Sequence, residues 1–222
     1  MSQILEIIEE PGPDLSHNKA FVYLWFYPAA TFRFLLKHPL WGRVQALLIL
    51  GACCSALKRM AGWTFVNLSG SVLENLLKYV LLAIGIFASY LLFCWLLKRC
   101  STLFGKRFEI AHFKLLLAYA LLPTIVALLL LLPKLFLFGA SLFTPEKELT
   151  RGDIPWLELS VYAMEFVLFI WSALILVRGL QVLLKLPAVK ALLILVISLG
   201  LTMLLLLPLL FLLSQNWSYI FL

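Results

Sequence analysis

Glu165 is the side chain whose setting most demands an explanation, because the surrounding stretch YAMEFVLFIW is otherwise apolar. A charge at the centre of a bilayer costs roughly 2.5–3.5 kcal/mol on insertion scales. A carboxyl there should therefore be neutral or paired, and should face other helices. Two roles remain open. Glu165 could contact a proton or a substrate, or it could hydrogen-bond a Tyr, Ser or Thr of a neighbouring helix and fix how the helices pack. Lys78 and Lys134 fall near the outer ends of their spans, so no cation is expected at its depth.

The other chemically capable groups are few. His17, His38 and His112 lie outside the apolar runs. Glu109 and His112, three apart, could face one way, but a metal ion needs three or four ligands and no third is evident. Cys53, Cys54, Cys94 and Cys100 form no CxxC. The sequence contains no HExxH, GxSxG, Walker or GxGxxG signature. No catalytic residue, metal or cofactor is expected.

Apolar runs must position whatever these groups do. Of the 222 residues, 64% are hydrophobic and 13% charged, against roughly 45–50% apolar and about 25% charged in soluble domains. Stretches such as Leu115–Leu132 and Ala191–Leu213 approach or exceed the roughly 20 residues that span about 30 Å of hydrocarbon as a helix. Their continuity excludes a barrel, whose strands alternate. The reading is an all-α polytopic membrane bundle of five transmembrane helices, near Trp41–Met60, Leu76–Leu97, Phe113–Pro133, Leu157–Val177 and Ala188–Leu213. Lys58 and Arg59 must snorkel out of the first.

Residues 1–20, acidic and broken by Pro and Gly, read as a cytosolic tail. Residues 21–40 read as an amphipathic helix in the membrane interface or as an ordinary connector, with Pro28 in its first turn and Arg33 and Lys37 four apart. Residues 41–222 form the transmembrane domain. Gly51 with Ser55, Ala52 with Ala56, and Gly85 with Ser89 give small-residue faces, which predicts that the first two spans pack together. Pro123, Pro133 and Pro208 predict kinks.

The formal charge of +7 does not indicate nucleic acid, because the cations cluster beside the spans. Twelve of the 18 Lys and Arg (Lys19, Arg33, Lys37, Arg43, Lys98, Arg99, Lys106, Arg107, Lys114, Arg178, Lys185 and Lys190) fall on one side of the five spans. That bias predicts a cytosolic amino terminus and a carboxyl terminus on the opposite face. Lys98, Arg99, Lys106 and Arg107 are expected to contact anionic headgroups of the inner leaflet. Glu146, Glu148, Asp153 and Glu158 would make an acidic outer loop, and Trp63, Phe65, Trp217 and Tyr219 would mark the outer interface.

Three stretches, WFYPAATFRFLL (25–36), AYALLP (118–123) and IWSALILVRGLQVLLKLPAVKA (170–191), resemble the Yip-domain family, the Ypt-interacting-protein class of five-span membrane proteins. In order and spacing the resemblance covers about residues 24–213. It implies architectural positions at Pro28, Arg33, Tyr119, Pro123, Trp171, Arg178, Gly179 and Lys190. Eukaryotic relatives are associated with Rab-type GTPases and vesicle traffic, and carry a long cytosolic amino-terminal region. The short lead-in here points to a compact prokaryotic member, in the plasma membrane. The expected function is a non-enzymatic membrane scaffold or adaptor that organises partner proteins or membrane shape. Its partners would be the bilayer, anionic lipid, other membrane proteins and further copies of itself. The rival is a small transporter or channel using Glu165.

Overall fold

The computed structural model describes residues 19–62, 72–130 and 155–220, and every regular element among them is helical. These are α1 (Lys19–Phe26), α2 (Pro28–Lys37), α3 (Trp41–Gly62), α4 (Val72–Leu103), α5 (Ile110–Ala120), α6 (Leu122–Val126) with a 3-10 turn at Ala127–Leu130, α7 (Pro155–Leu184) and α8 (Ala188–Ile220). The expected tail up to residue 18, Trp63, Phe65, Pro133 and the loop acids Glu146, Glu148 and Asp153 lie outside the described residues.

Among the described residues, four stretches are long and apolar enough to cross a bilayer: Leu73–Leu103, Ile110–Leu130, Tyr162–Leu184 and Ala188–Pro208. Helix α3 has the length, 22 residues or about 33 Å at 1.5 Å per residue, but Arg43, Lys58 and Arg59 dilute its apolar character. It stands apart from the other four for that reason. Helix α4 extends well beyond the expected span, to 32 residues, about 48 Å, so it is too long to fit upright in the hydrocarbon layer.

The bundle is built around α5, where Phe113 and every residue from Leu115 to Ala120 are buried. Helices α3, α4 and α7 pack on it, α2 touches it, and α8 closes the bundle against α4 and α7. The outward faces of α4, α7 and α8 expose large apolar side chains such as Leu81, Phe166, Phe169, Val196 and Leu204. Such exposure would be untenable in water over so wide an area and is the normal condition against lipid.

Two expectations need correction. Residues 21–40 are not one helix: α1 and α2 meet at Tyr27, where Pro28 starts α2 because it has no N–H to continue the preceding ladder. Nor does the segment merely rest against the bundle, since Ala20, Leu24, Thr31 and Phe32 are all 0% exposed. The third span runs as one apolar stretch from Ile110 to Leu130, and the interruption expected from Pro123 is there, with Leu121 as a turn between α5 and α6. The first two spans do pack, as α3 against α4, but not through all the small residues proposed. An added Cβ at Gly51 would sit 3.0 Å from Leu121 Cδ1, while one at Gly85 would meet nothing within 4 Å. Ser89 turns back to donate to its own helix at Gly85 O, 2.8 Å away. Contacts that do join α3 to α4 are the Ser55 and Tyr90 hydroxyls at 3.0 Å and Tyr79 Oη donating to Cys53 O at 3.3 Å.

Candidate functional site: a packing junction and a cationic end

Two places gather the residues singled out in the sequence. The first is a junction of α1, α2, α5, α6 and α7. Gly179 on α7 lies where an added Cβ would come within 2.9 Å of both Leu116 Cδ2 on α5 and Phe32 Cε2 on α2. The absence of a side chain at this one position therefore lets three helices meet. Almost one turn along α5 from Leu116, Tyr119 is buried and its ring centre lies 5.9 Å from that of Phe21 on α1. Beyond it comes the Pro123 break, which releases backbone carbonyls from the helical ladder. Ser172 on α7 donates its hydroxyl to the Ala120 carbonyl, and Thr124 Oγ1 donates to Leu121 O at 2.6 Å. The Ser172 bond supplies a donor that lipid could not, while Leu121 O also accepts the Ile125 N–H at 2.9 Å. Trp171, adjacent to Ser172, lines an open apolar groove with Phe21, Val22, Trp25, Phe26, Leu122 and Val126.

The second place is one end of the bundle. Short connections at 104–109 and 185–187 bring the end of α4 to the start of α5 and the end of α7 to the start of α8. The start of α3 joins them, because Trp41 meets the His112 ring edge-on at 6.4 Å. Arg43, Lys98, Arg99, Lys106, Arg107, Lys114, Lys185 and Lys190 therefore share this end. Ser101, fully buried, ties the α4–α5 turn: its hydroxyl lies 2.8 Å from Lys98 O and 3.3 Å from Lys106 O. Gly105, with φ of +72°, makes the turn possible. Arg99 lies 5.1 Å from the centre of the half-exposed Trp95 ring, a pairing suited to a membrane interface. Arg33, Arg178 and Lys190 are exposed, and Arg178 reaches Gln181 Oε1 at 3.1 Å.

Glu165 belongs to neither place. It faces Lys58 of α3, with Nζ and Oε1 3.9 Å apart and both side chains about one-quarter exposed (23% and 25%). The expectation that no cation shares its depth is thus corrected, since Lys58 turns toward α7 rather than only outward. His112 is framed by Trp41 and Phe108, and its backbone N–H donates to Glu109 O. The four cysteines are free thiols. Among the described residues, no three His, Cys, Asp or Glu side chains converge as a metal site would require. Sequence reading missed Phe32, Leu116 and Ser172. Only Ser172 had a signal, since a proline inside a span frees carbonyls that need a donor nearby.

Lipid-facing helices packed round a buried centre define an integral, multi-pass membrane protein. The Yip1 domain model matches residues 22–210, from α1 into α8, and the chain belongs to that family. No curated protein and no solved structure matches it.

Proposed function

We propose that the chain is a non-enzymatic membrane scaffold or adaptor of the Yip type. It holds partner membrane proteins, including further copies of itself, and works on the bilayer through its cationic end. The observation that carries this reading is how the family residues divide. Pro28, Tyr119, Pro123, Trp171 and Gly179 surround one packing junction, while Arg33, Arg178 and Lys190 are exposed cations. Neither group combines a nucleophile, an acid and a base, so both read as architecture and surface.

In this reading α3 is the first of five spans, following a cytosolic tail at 1–20 and the segment at 21–40. Its 22 residues suffice in length, and its charges lie near its ends. The amino terminus is cytosolic, the carboxyl terminus opposite, and Lys98, Arg99, Lys106 and Arg107 hold anionic headgroups of the inner leaflet. A prokaryotic member of the family would sit in the plasma membrane. Reporter fusions at the two termini should report opposite compartments, and matching compartments would overturn five spans. Purification in mild detergent followed by mass spectrometry should return anionic lipid together with a reproducible membrane-protein partner or a homo-oligomer. Recovery of lipid-stripped monomer alone would overturn the scaffold. The transporter reading has one observation in its favour, the Lys58–Glu165 pair, and is decided by the Glu165 variants described in the Discussion.

A further inference from the structure

The segment before α3 meets the bundle at levels that its own length does not predict. Helix α5 begins at Ile110, at the cationic end, and rises about 1.5 Å per residue. Phe21 meets Tyr119, about 13 Å above that start. Trp25 and Phe26 share a groove with Leu122, Val126 and Trp171, about 18–24 Å above it. Phe32 has returned to the level of Leu116, since both close on Gly179, only about 9 Å above the start. Phe21 and Phe32 would be about 16 Å apart along one straight helix, yet their levels differ by about 5 Å. The chain therefore rises along α1, turns at Tyr27 and descends along α2, which packs beside it.

Charge follows the same path. Ala20–Phe32 contains no charged residue, whereas Lys19, Arg33 and Lys37 lie toward the two feet. At the tip, Val22 and Phe26 are 61% and 74% exposed, which suits hydrocarbon and not water. With about 30 Å of hydrocarbon to cross, the tip stands near mid-bilayer.

We propose that α1 and α2 are a re-entrant helical hairpin occupying only the leaflet at the cationic end, and that this makes the protein a wedge favouring bilayers in which that leaflet is convex. Among the described residues, the cross-section in that leaflet holds α1, α2, α3, α4, α5, α7 and α8, and in the other α3, α4, α6 with its 3-10 turn, α7 and α8. A helix is about 10 Å wide, so the two additional helices add on the order of 160 Å² to one leaflet only. The wedge deepens the membrane-organising role proposed above and rests on its multi-span reading, but not on which side is the cytosol.

The hairpin is tested with the full chain in sealed phosphatidylcholine–phosphatidylglycerol vesicles, using a membrane-impermeant maleimide and the parent protein as background. Lys19→Cys and Lys37→Cys should label from the same side, and Phe26→Cys from neither. Labelling of Phe26→Cys from water, or of the two feet from opposite sides, overturns the hairpin. The wedge is tested by reconstituting fluorescently tagged protein into a mixture of small, strongly curved and large, nearly flat vesicles of that composition. Copies with the cationic end outward should be severalfold denser per unit area on the small vesicles. Phe26→Arg, a change at an exposed side chain that should leave the bundle folded, should remove most of that enrichment while the protein remains monodisperse. Equal density of the parent on both vesicle sizes, or enrichment untouched by Phe26→Arg, overturns the wedge. Neither assay depends on the terminal reporters or on copurifying partners, so the failure of either proposal is recognisable separately.

Discussion

Gly179→Ala tests the packing junction most directly. The added methyl carbon would stand 2.9 Å from Leu116 Cδ2 and from Phe32 Cε2, and 3.1 Å from Phe32 Cδ2. Carbon pairs prefer about 3.5–4.0 Å, so the contacts fall short by roughly half an ångström or more. Leu116 and Phe32 are both 0% exposed, which leaves neither side chain room to swing away, and relief must come from moving α2 or α5 off α7. Overpacking of this kind costs about 1–3 kcal/mol. Contacts this short on two fully buried side chains take the upper half of that range, and exchanging Gly for Ala within a helix returns up to about 1 kcal/mol, for a net loss of about 1–2 kcal/mol. Thermal unfolding in mild detergent can be followed by a fluorogenic thiol reagent, because Cys94 and Cys100 are buried, at 0% and 3% exposed, and react once the bundle opens. The midpoint should fall by about 2–4 °C per kcal/mol for a chain of this size. Gly85→Ala and Gly200→Ala are the controls, since an added Cβ meets nothing within 4 Å at either, and both should melt with the parent or slightly above it. Adding Phe32→Leu to Gly179→Ala should recover part of the loss, as expected when two changes share one contact. A Gly179→Ala protein that melts with the parent, or a Gly85→Ala protein that falls as far, would refute the junction.

Ser172→Ala should lower the same midpoint, because it leaves the Ala120 carbonyl without its donor, at a cost of about 0.6 kcal/mol, the average for an interhelical hydrogen bond in a bilayer. Glu165→Gln should be tolerated in stability and in cells, because a pair one-quarter exposed and 3.9 Å apart is worth no more than about 1 kcal/mol. Glu165→Leu, which leaves Lys58 facing an apolar group, should melt lower; a Gln variant that folds like the parent yet abolishes a cellular phenotype would favour the transporter. Replacing Lys98, Arg99, Lys106 and Arg107 with Gln should strip anionic lipid from the purified protein, since each cation near an anionic surface is worth about 1 kcal/mol. Unchanged lipid retention and orientation would mean that those cations do not touch headgroups.

The bundle was legible in the sequence because lipid removes the alternatives: a backbone that cannot hydrogen-bond its solvent must satisfy itself, and in runs such as Ala191–Leu213 only a helix does so. Gathering of the cations at one end followed from connections too short to let Lys106 or Lys185 stray from the helix ends beside them. Partners across helices were not legible. Gly51 and Gly85 look alike in sequence, yet one receives Leu121 and the other faces open space, since a small residue permits close approach without naming the neighbour. Lys58 sat at a span's end and read as snorkelling outward, but its four-carbon stem is long enough to turn back toward α7. Residues 21–40 misled through composition: aromatics mixed with spaced cations suit a surface helix, and nothing in that mixture announces two helices of eight and ten residues. Two short helices joined at a proline can instead hide their polar groups by packing inside other helices.

That last arrangement bears on what the family residues do. A bundle of helices smooth with leucine has no register of its own, since one leucine face slides past another at little cost. Gly179 removes the freedom by admitting Phe32 and Leu116 at a single height, and Pro123 removes it again by freeing carbonyls, among them that of Ala120, which Ser172 can reach from one position of α7. Each lock uses a residue that would weaken an isolated helix, glycine through the backbone freedom it gives up and proline by breaking the ladder. The stability forfeited within one helix fixes the register between helices. The scaffold role proposed above, presenting a defined shape and exposed cations to the membrane, would require register more than any reactive group.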